Sequence, residues 1–456
     1  MANSYLTRTP SSAGNRKKFT ISFWVKRSGL GSSNNIFSAT NDASSSNARF
    51  YVLFGSGDDL MFKQYDGSSI NFDLTTNRFF RDTNAWYHIV YNFDSDNGTA
   101  NLRQRIWVNG VEETSFSART NPSSSYDSFV NQTKPHNIGN DTNVSSRFFD
   151  GYISHFSFVD GQALAPTVFG ETDSTSGIWK FKSPSGVTWG TNGFHLKFEN
   201  SGALGTDSSG NSNTFAVNGN LKQALDTPSN VHATLNPNDV MKQSSAIYAP
   251  TFSNGNLTMA SDDNQNRQTF ATISPETGKW YWEMKIDVAN TTGHRLGVFF
   301  GNNKTHSGSY YYGSDAFYIH QNGEIYYNGS STTYMASYTA NDIISVALDV
   351  TNGNIYMSKN GGASDSTWAD GSGNNNQAFP GTSVNGKLSA SWISGLVTPF
   401  FDVYGTGNKQ SINFGNGFFG TTAITSAGSN GNGSLFEYDV PSGYYALNTK
   451  NINTYG

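Results

Sequence analysis

The sequence predicts an all-β protein built as two tandem antiparallel β-sandwiches, and three observations carry that prediction. Apolar and polar residues alternate through most of the chain. In Phe19-Thr20-Ile21-Ser22-Phe23-Trp24-Val25-Lys26 the side chains of Phe19, Ile21, Phe23 and Val25 fall on one face of an extended strand. Twice, a strand ending in Asp turns through Asn-Gly into a second strand that closes on another Asn-Gly. Trp86–Asp94, Asn97-Gly98 and Arg105–Gly110 form one copy; Asp342–Asp349, Asn352-Gly353 and Asn354–Gly361 form the other. Asn-Gly accepts the positive φ of a tight hairpin turn, so it is the strongest short-range hairpin signal. No extended stretch has the i, i+3, i+4 apolar spacing of a helix, and only Ala163-Leu164-Ala165-Pro166 suggests a short helical turn.

The elements follow in order. After the strand at Phe19, Phe50–Phe54 and Leu60–Tyr65 form the next pair, joined by Gly55-Ser56-Gly57-Asp58-Asp59. The first hairpin copy and the alternating strand Gly151–Phe158 complete the first sandwich, placed at residues 1–215. Residues 216–244 are poor in strand signal and contain Pro228 and Pro237, which suit a linker. Lys279–Ile286, Arg295–Phe300 and the second hairpin copy belong to a second sandwich at residues 245–420. A Gly/Ser/Asn-rich stretch then opens residues 421–456, a linker with a C-terminal docking segment for its own domain or a neighbouring subunit.

Composition narrows the function. Charged residues make up only 14% of the chain against a usual ~25%, so Asn, Ser, Thr and Gly must solvate the surface. A net charge of −5 without a basic run argues against a nucleic-acid partner. There are no cysteines, hence no disulfides and no thiolate metal site. No apolar run is long enough for membrane insertion, and Met1–Arg8 lacks the apolar segment of a signal peptide. These features predict a protein made in a host cytoplasm and working outside a cell, as a virion protein does.

Residues 1–215 resemble the laminin-G-like, concanavalin A-like jelly-roll sandwiches, on the motifs Phe19–Lys26, Trp86-Tyr87-His88-Ile89-Val90, Ile106-Trp107-Val108-Asn109-Gly110 and Phe149-Asp150-Gly151-Tyr152-Ile153-Ser154. Members of that family bind carbohydrate, protein or calcium, and a few are enzymes. Residues 245–420 resemble a SPRY domain through Gly278–Glu283, Asn341–Asp349 with Ser358-Lys359-Asn360-Gly361, Thr398–Phe401 and Ile412–Gly415. The family usually has Gly where Asn341 stands, a departure that turn chemistry tolerates. SPRY domains recognise proteins and carry no catalytic chemistry. The pairing of the two modules, with the ending Val440–Lys450, resembles virion-associated proteins of tailed phages, particularly marine ones. That resemblance implies a fibre, appendage or head decoration.

Candidate sites follow from chemistry. Sugar binding uses flat aromatic faces beside amides and hydroxyls. Tyr310, Tyr311 and Tyr312 form the best such cluster, with Tyr326, Tyr327 and Trp368 as partners; equally, two of the three consecutive tyrosines pack into strands or an oligomer interface. Calcium, the one cofactor to consider, would use the loop acids Asp58, Asp59, Asp66 and Asp141, although each also suits a turn. A glycosidase needs two facing carboxylates, and Glu283 with Asp287 is the nearest pair; Glu283, however, matches a structural SPRY position. The expected function is non-enzymatic attachment to host cell-surface polysaccharide, with other virion subunits and further copies of the chain as partners. The alternatives are a structural decoration or cement protein and, less favoured, a polysaccharide-degrading enzyme.

Overall fold

The computed structural model describes residues 4–40, 48–141, 143–240, 242–243, 246–300, 305–306, 316–327, 330–361, 368–369, 375–377, 396–424 and 427–456. The chain forms two compact units, Met1–Gln223 and Ala224–Gly456. Both are antiparallel sandwiches, and the only α-helix among the described residues is Thr449–Tyr455, capped by the Asn448 side chain. No helix there is long and apolar enough to cross a membrane.

The first unit stacks an eight-stranded sheet on a six-stranded one. The eight-stranded sheet runs Phe116–Thr120, Ile70–Phe79, Asp59–Tyr65, Arg49–Phe54, Asn34–Thr40, His136–Ile138, Tyr5–Arg8, Ala216–Asn218. The six-stranded sheet runs Phe194–Leu196, Gly151–Asp160, Lys18–Arg27, Tyr87–Asp94, Gln104–Val108, Val111–Glu113. Phe19, Ile21, Phe23 and Val25 meet Phe50, Val52, Phe62, Phe72 and Tyr91 between the sheets, as the alternation requires. Asn109 and Gly110 both take positive φ, 49° and 79°, in the turn joining Gln104–Val108 to Val111–Glu113. The earlier Asn97-Gly98 lies instead in a wider loop with a 3₁₀ turn at Ala100–Leu102.

The second unit pairs a seven-stranded sheet (Leu235–Val240, Arg267–Ala271, Thr398–Val403, His294–Phe299, Ala316–His320, Glu324–Tyr327, Ser330–Thr333) with a nine-stranded one. At the centre of the latter, Lys279–Val288 pairs with Lys409–Asn413 and Ile343–Asp349. Trp280, Trp282, Met284 and Ile286 face the core with Leu296, Val346, Leu348, Phe401 and Ile412. Asn341, standing where glycine is usual, has φ 73°.

Residues 216–244, expected as a linker, hold ladder strands of both units. Ala216–Asn218 pairs with Tyr5–Arg8, and Leu235–Val240 with Arg267–Ala271. The C-terminal residues pack on the second unit: Tyr445–Ala446 runs parallel to Lys279–Val288, and Phe436, Val440, Tyr444 and Ala446 join Tyr281, Ala347 and Trp368 in a buried cluster.

Candidate functional site

The outward face of the eight-stranded sheet carries a cleft. Strands Arg49–Phe54 and Asp59–Tyr65 pair so that Arg49 lies opposite Tyr65 and Tyr51 opposite Lys63. Because side chains alternate, Phe50, Val52 and Phe62 enter the core while Arg49, Tyr51, Lys63 and Tyr65 share the other face. Lys63 in turn lies opposite Asp73, and Tyr65 opposite Ile70. The hairpin Asn140–Asp141/Val144–Phe148 brings Val144 and Arg147 to the same place. Together Arg49, Tyr51, Lys63, Tyr65, Ile70, Val144 and Arg147 line an open cleft of about 370 Å³, inside the ~300–1,000 Å³ usual for small-molecule sites.

Its groups are held firmly. Arg49 Nε lies 2.9 Å from Asp141 Oδ1, and its guanidinium stacks 5.0 Å from the Tyr51 ring centroid. Arg147 Nη1 reaches Asp141 Oδ2 at 3.4 Å, and Lys63 Nζ reaches Asp73 Oδ2 at 2.9 Å. The Tyr65 hydroxyl donates to the Gly67 carbonyl at 2.8 Å. Burial raises the Tyr51 hydroxyl pKa; Lys63, Arg49 and Arg147 pull it back, and Asp73 adds to the rise. Two phenol rings, donors of both kinds and an exposed Ile70 make a surface that can hold a sugar ring by its apolar face and its hydroxyls.

The aromatic residues expected to bind ligand fall elsewhere. Tyr310, Tyr311 and Tyr312 lie outside the described residues. Tyr326 stacks on Tyr318 at 5.2 Å and donates its hydroxyl to Glu324 at 2.8 Å, so one of its faces is already covered. Tyr327 packs against the core of the second unit. Trp368 is a correction: it is 2% exposed, buried in the cluster with Tyr281, Phe436 and Tyr444, and cannot offer a face to a ligand.

The four calcium candidates do not converge. Asp58 is clamped by Arg27 and Arg81, both at 3.0 Å, and accepts the Gly31 N–H. Asp66 caps its own turn, accepting from the Ser68 and Ser69 N–H groups and from Asn71, which holds its pKa well below the usual carboxylate range. Asp141 lies between Arg49 and Arg147, and Asp59 pairs in a strand opposite Phe79. Among the described residues no three His, Cys, Asp or Glu side chains gather as a metal site. Glu283 is fully buried: Tyr281 Oη–H and the Tyr438 N–H donate to Oε1, and Asn413 Nδ2 and the Glu437 N–H to Oε2. Burial pushes its pKa up to about 7 despite those donors. Asp287 accepts from Ser411 Oγ at 2.6 Å, and its pKa is raised by burial too.

Sequence reasoning missed the cleft, although it paired the right strands. The available signal was the outward pair Tyr51 and Tyr65, two aromatics where a solvated face needs none.

Comparison with known proteins supports the architecture of each half. Residues 1–168 match the family model of the concanavalin A-like lectin/glucanases superfamily (laminin-G type), and residues 279–416 match the SPRY domain. The chain thus carries a laminin-G-type, concanavalin A-like domain followed by a SPRY domain, modules that fit a binding role. Similar solved structures include the SPRY domain of human HERC1, at 18% identity over 39% of this chain and 96% of that one, with TM-score 0.29. Mouse laminin alpha1 chain domains LG4-5 align at 9% identity over 93% and 89%, with TM-score 0.29. A heptameric SAP-like pentraxin from Limulus polyphemus aligns at 16% over 36% and 71%, with TM-score 0.27. No curated protein matches the chain.

Proposed function

We propose that the protein is a non-enzymatic, virion-associated binding protein of a tailed phage, which attaches to host surface polysaccharide through the cleft of its first unit. The observation that carries this reading is the pair Tyr51 and Tyr65 set among Arg49, Lys63 and Arg147 on one sheet face. Neighbouring virion subunits and further copies of the chain are the partners that such a display requires. The cysteine-free, charge-poor sequence and the resemblance to tailed-phage proteins support the virion setting.

The test is titration of the full chain with polysaccharide from candidate host surfaces. Tyr65→Ala should lower affinity by about thirtyfold, the ~2 kcal/mol of a central aromatic contact, with little change in melting temperature. Release of reducing ends from that polysaccharide, abolished by Glu283→Gln, would contradict the non-enzymatic part.

A structural decoration role is favoured by one observation, the exposed apolar side chains Phe79, Val111 and Ile178 of the first unit. Their burial against a neighbouring subunit in a reconstruction of the particle, with the cleft unoccupied, would support it.

A further inference from the structure

We propose that the cleft of the first unit selects acidic polysaccharides, those bearing carboxylates on their sugar rings, over neutral ones; this rests on the glycan-binding reading above. The charge around the cleft is the first argument. Strand Arg49–Phe54 contributes Arg49, strand Asp59–Tyr65 contributes Lys63, and the Asn140–Phe148 hairpin contributes Arg147; the carboxylates paired with them are Asp73 and Asp141, and Asp66 caps the turn between Tyr65 and Ile70. The residues that line the cleft include three cations and no carboxylate, in a chain whose net charge is −5. Diffuse charge on this protein therefore repels an acidic polymer, and attraction has to be local.

The second argument is how those cations are spent. Arg49 engages both Asp141 oxygens through Nε, at 2.9 and 3.0 Å, and Lys63 is tied to Asp73 at 2.9 Å. These two are 7% and 17% exposed, so they set the floor's potential. Arg147 is different. Its side chain is 33% exposed, and its contact with Asp141, through Nη1 at 3.4 Å, is the longest of the three ion pairs. A guanidinium has five N–H donors in a planar fork that fits a carboxylate with two parallel bonds. Arg147 can turn that fork toward a ring carboxylate while Asp141 keeps Arg49 as its partner. Tyr51 and Tyr65 then receive the sugar's apolar face, and the geometry joins stacking and charge in one site.

The experiment compares binding of the full chain to polygalacturonate and alginate, which are uronate polymers, with binding to dextran, which is neutral, at increasing salt. The uronate polymers should bind at least about tenfold tighter than dextran at low salt, with the advantage shrinking as salt screens the charges. Arg147→Gln should remove most of that advantage and leave dextran binding unchanged. Arg105→Gln, at a half-buried cation on the other sheet, should do neither. Equal affinity for acidic and neutral polymers, or an advantage that Arg147→Gln leaves intact, overturns the selectivity while glycan binding stands. Failure to bind any of these polymers while host polysaccharide is bound overturns the selectivity; failure on host polysaccharide as well overturns the glycan reading itself.

Discussion

In the first unit, neutral imidazoles between aromatic rings close the outer face of the six-stranded sheet; in the second, a carboxyl group receiving peptide N–H donors closes that of the nine-stranded sheet. On the first, residues 163–190 fold back over the sheet. Trp24, His88 and Trp179 stack in series, and Phe181, His155, His195 and Trp189 make a second stack. Trp179 Nε1–H donates to His88 Nδ1 at 3.0 Å, which leaves His88 Nε2–H to donate to Ser22 Oγ at 2.9 Å. A bulge between Ser154 and Ser157, with His155 at φ 48°, turns that ring into its stack. On the second, the C-terminal segment lies over Tyr281, Ala347 and Trp368, pinned where Glu283 accepts the Glu437 and Tyr438 N–H groups at 2.9 Å. The comparison teaches that a sandwich strand can bury both its faces, and that the chemistry of the outer cover brings titratable groups with it.

The largest effect should come from removing residues 425–456. Phe436, Val440, Tyr444 and Leu447 are fully buried, and each such side chain contributes ~1.5–3 kcal/mol by burial. The deletion also breaks the clasp between Ala233 N–H and the Leu447 carbonyl. Limited proteolysis should find the second unit degraded and the first intact; a protected second unit would show the cover to be dispensable.

The same clasp separates two boundaries. A chain of residues 224–456 should express as a folded β-protein. One starting at residue 241 should not, because it lacks the buried Ala233 and the edge strand Leu235–Val240 with its buried Leu235. Equal solubility of both would restore the linker view of 216–244.

Glu283→Gln comes next, at about 1–3 kcal/mol in the second unit, since an amide NH₂ replaces one acceptor beneath two buried peptide donors. Glu283 answers pH with the opposite sign to the buried histidines, which lie in both units: His294 and His320 of the second are lowered by burial as those of the first are. Glu283 has a folded pKa of about 7, above its unfolded value, so its contribution is complete below about pH 4.5 and is lost as pH rises through 7. His155 and His195, lowered to about 4 by burial, and His88, lowered to about 3, contribute fully above about pH 6.5. That contribution is lost as pH falls from there. Lys197, Glu199 and Asp207 act on the second stack without reversing the direction. Thermal melts from pH 4 to 9 should therefore show an acid limb in both units, and Glu283→Gln should flatten the alkaline limb of the second only. Trp179→Phe should give the smallest change, about 1 kcal/mol in the first unit, from the lost bond to His88.

The core faces were legible because period two is local: Phe19, Ile21, Phe23 and Val25 announce themselves, as do Trp280 and Trp282. So was the special backbone at Asn109 and Asn341, where Asn tolerates positive φ. The second buried face was not legible. Thr20, Ser22, Tyr281 and Glu283 read as a solvated side until a distant segment covers them, and both covers have the Gly, Ser and Asn content of a linker. Trp368 misled for that reason. The cleft stayed hidden because it draws on four separated segments, and no local pattern marks Arg147 as a neighbour of Tyr51.

On the proposed reading, recognition has two competing homes, the cleft of the first unit and the tyrosine run of the second. The most direct test is one competition assay against whole phage for host cells, run with Tyr51→Ala/Tyr65→Ala and with Tyr310→Ala/Tyr311→Ala/Tyr312→Ala. The first variant should fold normally and lose competition by about thirtyfold or more, while the second competes like the parent. A parent-like first variant beside a defective second would place recognition in the SPRY half and contradict the account.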